Sequence, residues 1–231
     1  MRDTDLEAVR LITMDLFDIV PFKEVEEIEG LGLCSHPFAT SLFIPDRSNN
    51  SLIDLRNPEH AKQYRMWIEE VINNSSPSKI LYRVERAYRM TWFRLVSPYL
   101  SDADYGTLLK DSWITEEDPN QDKNVSQKMA INFFKTAKKK FLMDEEEWAI
   151  YENFPDEITL YRGVSVGRAR IGLSWTNNPD VAAWYKERFE KEGKNGIVLK
   201  ATIEKKNVLA YFEQDNEIIV DTKYLKDVAE I

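Results

Sequence analysis

Two periodicities follow one another along this chain. The periodic segments before residue 157 repeat at helical spacing, and from Ile158 onward the texture is that of strands with one helix between them. Helices first and a mostly antiparallel sheet afterwards define an α+β arrangement. With only eight glycines in 231 residues, a loop-rich sandwich or a turn-built repeat is disfavoured.

Helical spacing begins at Thr4 to Ile19, where Leu6, Val9, Ile12, Leu16 and Ile19 recur before Pro21. The acidic run Glu24 to Glu29 reads as a solvated face, and Pro58 opens a helix through Val71. The cluster Asn73-Asn74-Ser75-Ser76-Pro77 ends that helix and is the expected domain boundary. It separates a mainly helical acidic segment, 1–75, from a second domain, 76–231. One helix is then expected over Ser78 to Val96, with Leu81, Val84, Tyr88, Thr91, Trp92 and Leu95 on one face. Arg83, Arg86, Arg89 and Arg94 fall opposite, as a solvated basic side or as a comb facing phosphates. A further helix is expected over Val125 to Leu142, capped by Asn124 or Ser126. Lys138, Lys139 and Lys140 lie at its C-terminal end, where cations suit the helix dipole.

Strands are expected at Ile158–Val164, Gly196–Ile203, Val208–Phe212 and Glu217–Val220. The helix among them has Asn178 as N-cap, Pro179 at its first position, Asp180 in its first turn and Gly193 past its end.

Several classes are disfavoured at once. One cysteine, Cys34, makes no intramolecular disulfide, and with only His36 and His60 a Cys/His zinc cluster is ruled out, so no metal is expected. The N-terminus lacks a signal-peptide pattern and no apolar run approaches the length of a membrane span, so a cytoplasmic protein without membrane partners is expected. There is no G-x-G-x-x-G, and the Gly167–Gly172 pair lacks the Lys-Ser/Thr of a phosphate-binding loop. The net charge of −9 counts against a nucleic-acid partner, but it is uneven: −7 over 1–75, +4 over 76–141 and −6 over 142–231. A basic middle keeps an anionic ligand possible.

Three pieces then stand in order: ITLYRGV (Ile158 to Val164), GLSWT (Gly172 to Thr176) and DNEIIVD (Asp215 to Asp221). An arginine on one strand, a Ser-x-Thr on a second and a glutamate opening a later one resemble the catalytic core of the ADP-ribosyltransferase superfamily, in its R-S-E branch of bacterial and phage enzymes. The specific resemblance covers about 80 residues, and the first 75 residues take no part in it.

The resemblance implies a split, mostly antiparallel β-sheet core and NAD as substrate. It implies an enzyme that cleaves the nicotinamide–ribose bond and transfers ADP-ribose to a macromolecule, protein or nucleic acid. Arg162 would grip the pyrophosphate, a task suited to a planar guanidinium. Gly163 would leave the backbone open for the nicotinamide amide, and Ser174 would fix the catalytic glutamate by a hydrogen bond. Thr176 completes the motif, with Trp175 between the two hydroxyls as a packing residue. Trp184 and Tyr185 would wall the nicotinamide. Glu217 is the matched catalytic glutamate, placed to stabilise oxocarbenium character at the anomeric carbon. Asp215 stands where the family has Glu or Gln facing the acceptor, a departure that leaves the acceptor open. Tyr211 and Phe212 would lie in the loop that recognises it. Branches that need a histidine in the first motif are disfavoured, since no histidine follows residue 60.

The family setting implies a toxin of a toxin–antitoxin or phage-defence system, or a phage effector, with an antitoxin or inhibitor as a possible partner. An NAD glycohydrolase and a non-catalytic binding module on the same fold are the alternatives.

Overall fold

The computed structural model describes residues 3–25, 30–46, 51–116, 118–188 and 195–231. Gly193 and residues 26–29 of the acidic run lie outside them. The described residues are mixed helix and antiparallel strand, an α+β chain, and they divide into two compact units. The first comprises 1–104 and 111–117, the second 105–110 and 118–231, so the division falls well past the Asn73–Pro77 cluster.

In the first unit the two expected helices are α1 (Leu6–Ile19), which Asp5 caps, and α2 (Pro58–Asn73), which Asn57 caps. Two short hairpins between them, β1–β2 (Leu33–His36 and Ala39–Ser41) and β3–β4 (Phe43–Pro45 and Leu52–Asp54), were not expected. The helix over Ser78 to Val96 is not continuous. It is α3 (Pro77–Leu81), a 3₁₀ turn at Arg86–Tyr88, and α4 (Arg89–Val96). The break has a tertiary cause: the Glu85 N–H donates to the Pro37 carbonyl of the β1–β2 turn, and Glu85 is extended. The arginine comb fails with it. Arg89 is buried, donates from Nε to the Val84 carbonyl and lies over the Tyr82 ring. Glu116 Oε2 then accepts the Met90 N–H at the start of α4.

α1 and α4 are joined by a buried polar chain in which Trp92 Nε1 donates to Thr13 Oγ1, which donates to the Val9 carbonyl. Phe17, Phe22 and Phe38 pack around His36, and Tyr64 meets Phe17 and Phe22. His36 Nδ1 accepts the Phe38 N–H, so Nε2 carries the proton and donates to the Phe17 carbonyl. That neutral ring is what the site stabilises, and burial lowers the His36 pKa from 6.5 to about 4. The unfolded chain therefore binds this proton more readily, and the His36 contribution is intact above pH 6.5 and lost as pH falls toward 4. The loss should reach roughly 2–3 kcal/mol. Denaturant unfolding at pH 7 and pH 4.5 should show it, and His36→Gln should flatten the profile across that window.

In the second unit, helix α5 (Asp102–Thr115) contributes its middle turns. The helix expected over Val125 to Leu142 is two, α6 (Gln127–Thr136, capped by Ser126) and α7 (Lys139–Leu142), parted by extended backbone at Ala137 and Lys138. Gly106 of α5 admits α7 closely: a Cβ there would stand 2.6 Å from the Phe141 carbonyl carbon. α8 (Glu145–Glu152) follows with a full capping box between Asp144 and Glu147.

The strands then build two three-stranded antiparallel sheets. β7 (Ile197–Glu204) is flanked by β5 (Glu157–Val164) and β10 (Lys226–Glu230), the last unforeseen. β9 (Glu217–Val220) is flanked by β6 (Ser174–Trp175) and β8 (Val208–Phe212). The described link between the sheets is the bridge Tyr161–Thr176, with N–H to O distances of 2.7 and 2.9 Å. Helix α9 (Pro179–Glu187), capped by Asn178, packs on β5. No helix among the described residues is long and apolar enough to cross a membrane.

Candidate functional site

Arg162, Ser174 and Glu217 come from three strands, and the Tyr161–Thr176 bridge brings those strands together. Arg162 is 9% exposed. Its Nη1 donates to the Ser174 carbonyl at 2.8 Å, Nη2 to that of Ala169 at 3.2 Å and Nε to that of Arg170 at 3.3 Å. Three of its five donors are thus committed to the β5–β6 loop, so what it offers an anion is charge more than an open fork. Burial lowers its pKa to about 10, opposed by the carboxylates of Asp118 and Glu217, so it stays cationic at neutral pH.

Ser174 pairs with Ile219 and Trp175 with Ile218. Alternation along the strands therefore puts Ser174 on the face of β9 that carries Ile219 and Glu217, with Thr176 next in line. Trp175 points the other way, is buried and donates from Nε1 to the Gly172 carbonyl, the packing role expected of it. Thr176 is buried too, and its Oγ1 accepts the Asn178 N–H at the entry to α9. It shapes the turn into the helix.

Gly163 is approached closely by a neighbouring helix. A Cβ there would stand 2.0 Å from the Ala182 carbonyl oxygen and 2.6 Å from the Lys186 nitrogen, so the backbone that approaches it is that of α9. This contact carries Tyr185 to the site. Tyr185 donates its hydroxyl to Asp215; burial first, then that bond and the charges of Asp215 and Glu217, push its pKa upward. Trp184 is 57% exposed, edge-on to Tyr185 at 4.9 Å and under the Arg188 guanidinium. Of the expected aromatic pair, Tyr185 is the one among the acidic groups.

Asp215 lies in the exposed four-residue turn between β8 and β9. Asn216 has a φ of 47°, which asparagine tolerates, and its Nδ2 donates to Asn177 Oδ1 at 3.0 Å. Tyr211 and Phe212 are not in that loop. They are buried residues of β8: Phe212 packs near Phe134 and the Lys110 amine, and Tyr211 meets Phe154 edge-on. The run Val208–Phe212 is buried at every position, so both are core and neither is placed to read an acceptor.

Two residues went unnoticed in the sequence. Glu147, 3% exposed, accepts the Lys110 amine at 2.5 Å and the Glu213 N–H at 3.2 Å, anchoring the turn that leads to Glu217. Asn120, on a 3₁₀ turn at Pro119–Gln121, bonds both Ser174 and Leu173. The preceding Asp118 pairs with Arg168. The only sequence signal for either was a polar residue beside a cap or a proline, which is shared by many surface positions.

No protein-family model, curated protein or solved structure matches the chain.

Proposed function

We propose that the second unit is an ADP-ribosyltransferase core and that the chain is an NAD-dependent mono-ADP-ribosyltransferase acting on a macromolecule. One observation carries this reading: Arg162, Ser174 and Glu217 adjoin. The guanidinium holds the Ser174 backbone, Ser174 shares a face with Glu217, and the Glu217 charge acts on both Arg162 and Tyr185.

In this reading the Arg162 cation attracts the pyrophosphate of NAD and Tyr185 flanks the nicotinamide. The Glu217 carboxylate, with Ser174 fixing its rotamer, engages the ribose 2′-hydroxyl and stabilises positive charge at the anomeric carbon as nicotinamide leaves. The acceptor then takes that carbon. A toxin, phage-defence or phage-effector role, with an antitoxin as partner, fits such an activity.

The test is transfer of label from NAD into a cell extract separated into protein and nucleic-acid fractions. Label in one fraction names the acceptor class. Release of nicotinamide with no labelled macromolecule would instead assign an NAD glycohydrolase. No consumption of NAD by a folded chain would sink both.

A further inference from the structure

The Asn120 amide has only one workable orientation. Leu173 presents a backbone N–H, which can only donate, so the atom 2.7 Å from it must be the oxygen Oδ1. The other end, 3.0 Å from Ser174 Oγ, is therefore the nitrogen, and Nδ2 donates to the hydroxyl. A serine hydroxyl has one proton and two lone pairs. With Asn120 donating to a lone pair, the Ser174 proton has to be given to some other acceptor. The register sets the Glu217 carboxylate on the same face of the neighbouring strand.

Side-chain access depends on Gly172. A Cβ at that position would stand 2.6 Å from Asn120 Oδ1 and 2.7 Å from Arg162 Nη2, so the missing side chain makes room for both groups against the loop. Asp118, paired with Arg168, ties the start of the turn that delivers Asn120.

We infer that Asn120 is a positioning residue. It fixes the polarity of the Ser174 hydroxyl, so that this hydroxyl donates to Glu217 and holds the carboxylate in its working rotamer. The inference rests on the reading of Ser174 and Glu217 as parts of an NAD site.

Asn120→Asp tests it, because shape is kept while the donor is lost. A carboxylate would accept from both Leu173 N–H and Ser174 O–H, turning the serine proton away from Glu217. The kcat for nicotinamide release should fall about 10- to 100-fold, with KM for NAD within about twofold of wild type, the mark of an interaction made in the transition state. In a Ser174→Ala background the same replacement should cost nothing further, since the group it acts through is gone. Asn120→Ala, read in the same cycle, should behave likewise.

Additive losses in the double variant would overturn the proposal, as would an Asn120→Asp chain with wild-type kcat. A chain that fails to fold with either replacement would assign Asn120 to the fold and overturn it as well. A wild-type chain that consumes no NAD would defeat the NAD-site reading, and this inference with it. Wild-type turnover beside an unaffected Asn120→Asp chain would defeat only the role of Asn120.

Discussion

Glu217→Gln should yield a folded chain that releases nicotinamide from NAD about 10²–10³-fold more slowly, or worse. The replacement changes charge and almost nothing else. Glu217 opens β9 opposite Phe212, and the strand is held by Ile218, Ile219 and Val220, all fully buried. Its backbone pairing does not involve the carboxylate, so the chain should still fold cooperatively, with a modest loss of stability from the charge withdrawn from beside Arg162. The neutral amide can still meet a hydroxyl donor from Ser174, but it cannot stabilise a cation that develops at the anomeric carbon. A loss of that size corresponds to roughly 2.7–4 kcal/mol of barrier. Wild-type turnover by a folded Glu217→Gln chain would remove Glu217 from the chemistry and leave it as an acidic guard on a strand.

Arg162→Met should cost both stability and NAD turnover. The thioether fills much of the aliphatic volume, but the carbonyls of Ala169, Arg170 and Ser174 lose their donor together. These acceptors are only part-buried and water can reach them, so a loss of roughly 1–3 kcal/mol in denaturant unfolding is expected. Arg162→Lys keeps the charge on a single compact ammonium that cannot serve three carbonyls at once, so its loss should be smaller but clear. An unchanged denaturant midpoint for Arg162→Met would mean that the β5–β6 loop is held by other contacts.

What the sequence disclosed and what it hid have physical causes. Local chemistry that depends on neighbours in the chain was readable: the caps Ser126 and Asn178, and four strands of the second unit within a residue or so of their ends. Arg162, Ser174 and Glu217 were picked out by resemblance to the R-S-E series, and the strand pairing sets their three strands side by side. Contacts made at a distance were not readable. Ser78 to Val96 has the period of one helix, but a carbonyl from residue 37 takes the N–H that would have continued it. Phe212 has an apolar pattern consistent with a strand end or a binding loop, and only its burial decides. Asn120 sits 54 residues from Ser174, a pairing for which a polar residue after a proline gives no sign.

The way the units share helix α5 bears on any attempt to dissect the protein. The second unit takes residues 105–110 from the middle of that helix and then returns at 118, so no one cut of the chain yields either half whole. A fragment beginning at Asp118 lacks Lys110, the ammonium 2.5 Å from the buried Glu147 carboxylate, and with it the counter-ion beneath the turn that leads to Glu217. Such a fragment would carry every residue of the R-S-E series and still start from an uncompensated buried charge. Its inactivity would therefore say nothing about the catalytic residues. Fragments meant to test the second unit alone have to begin before Tyr105, and silence from shorter ones is to be read as a fault of the cut.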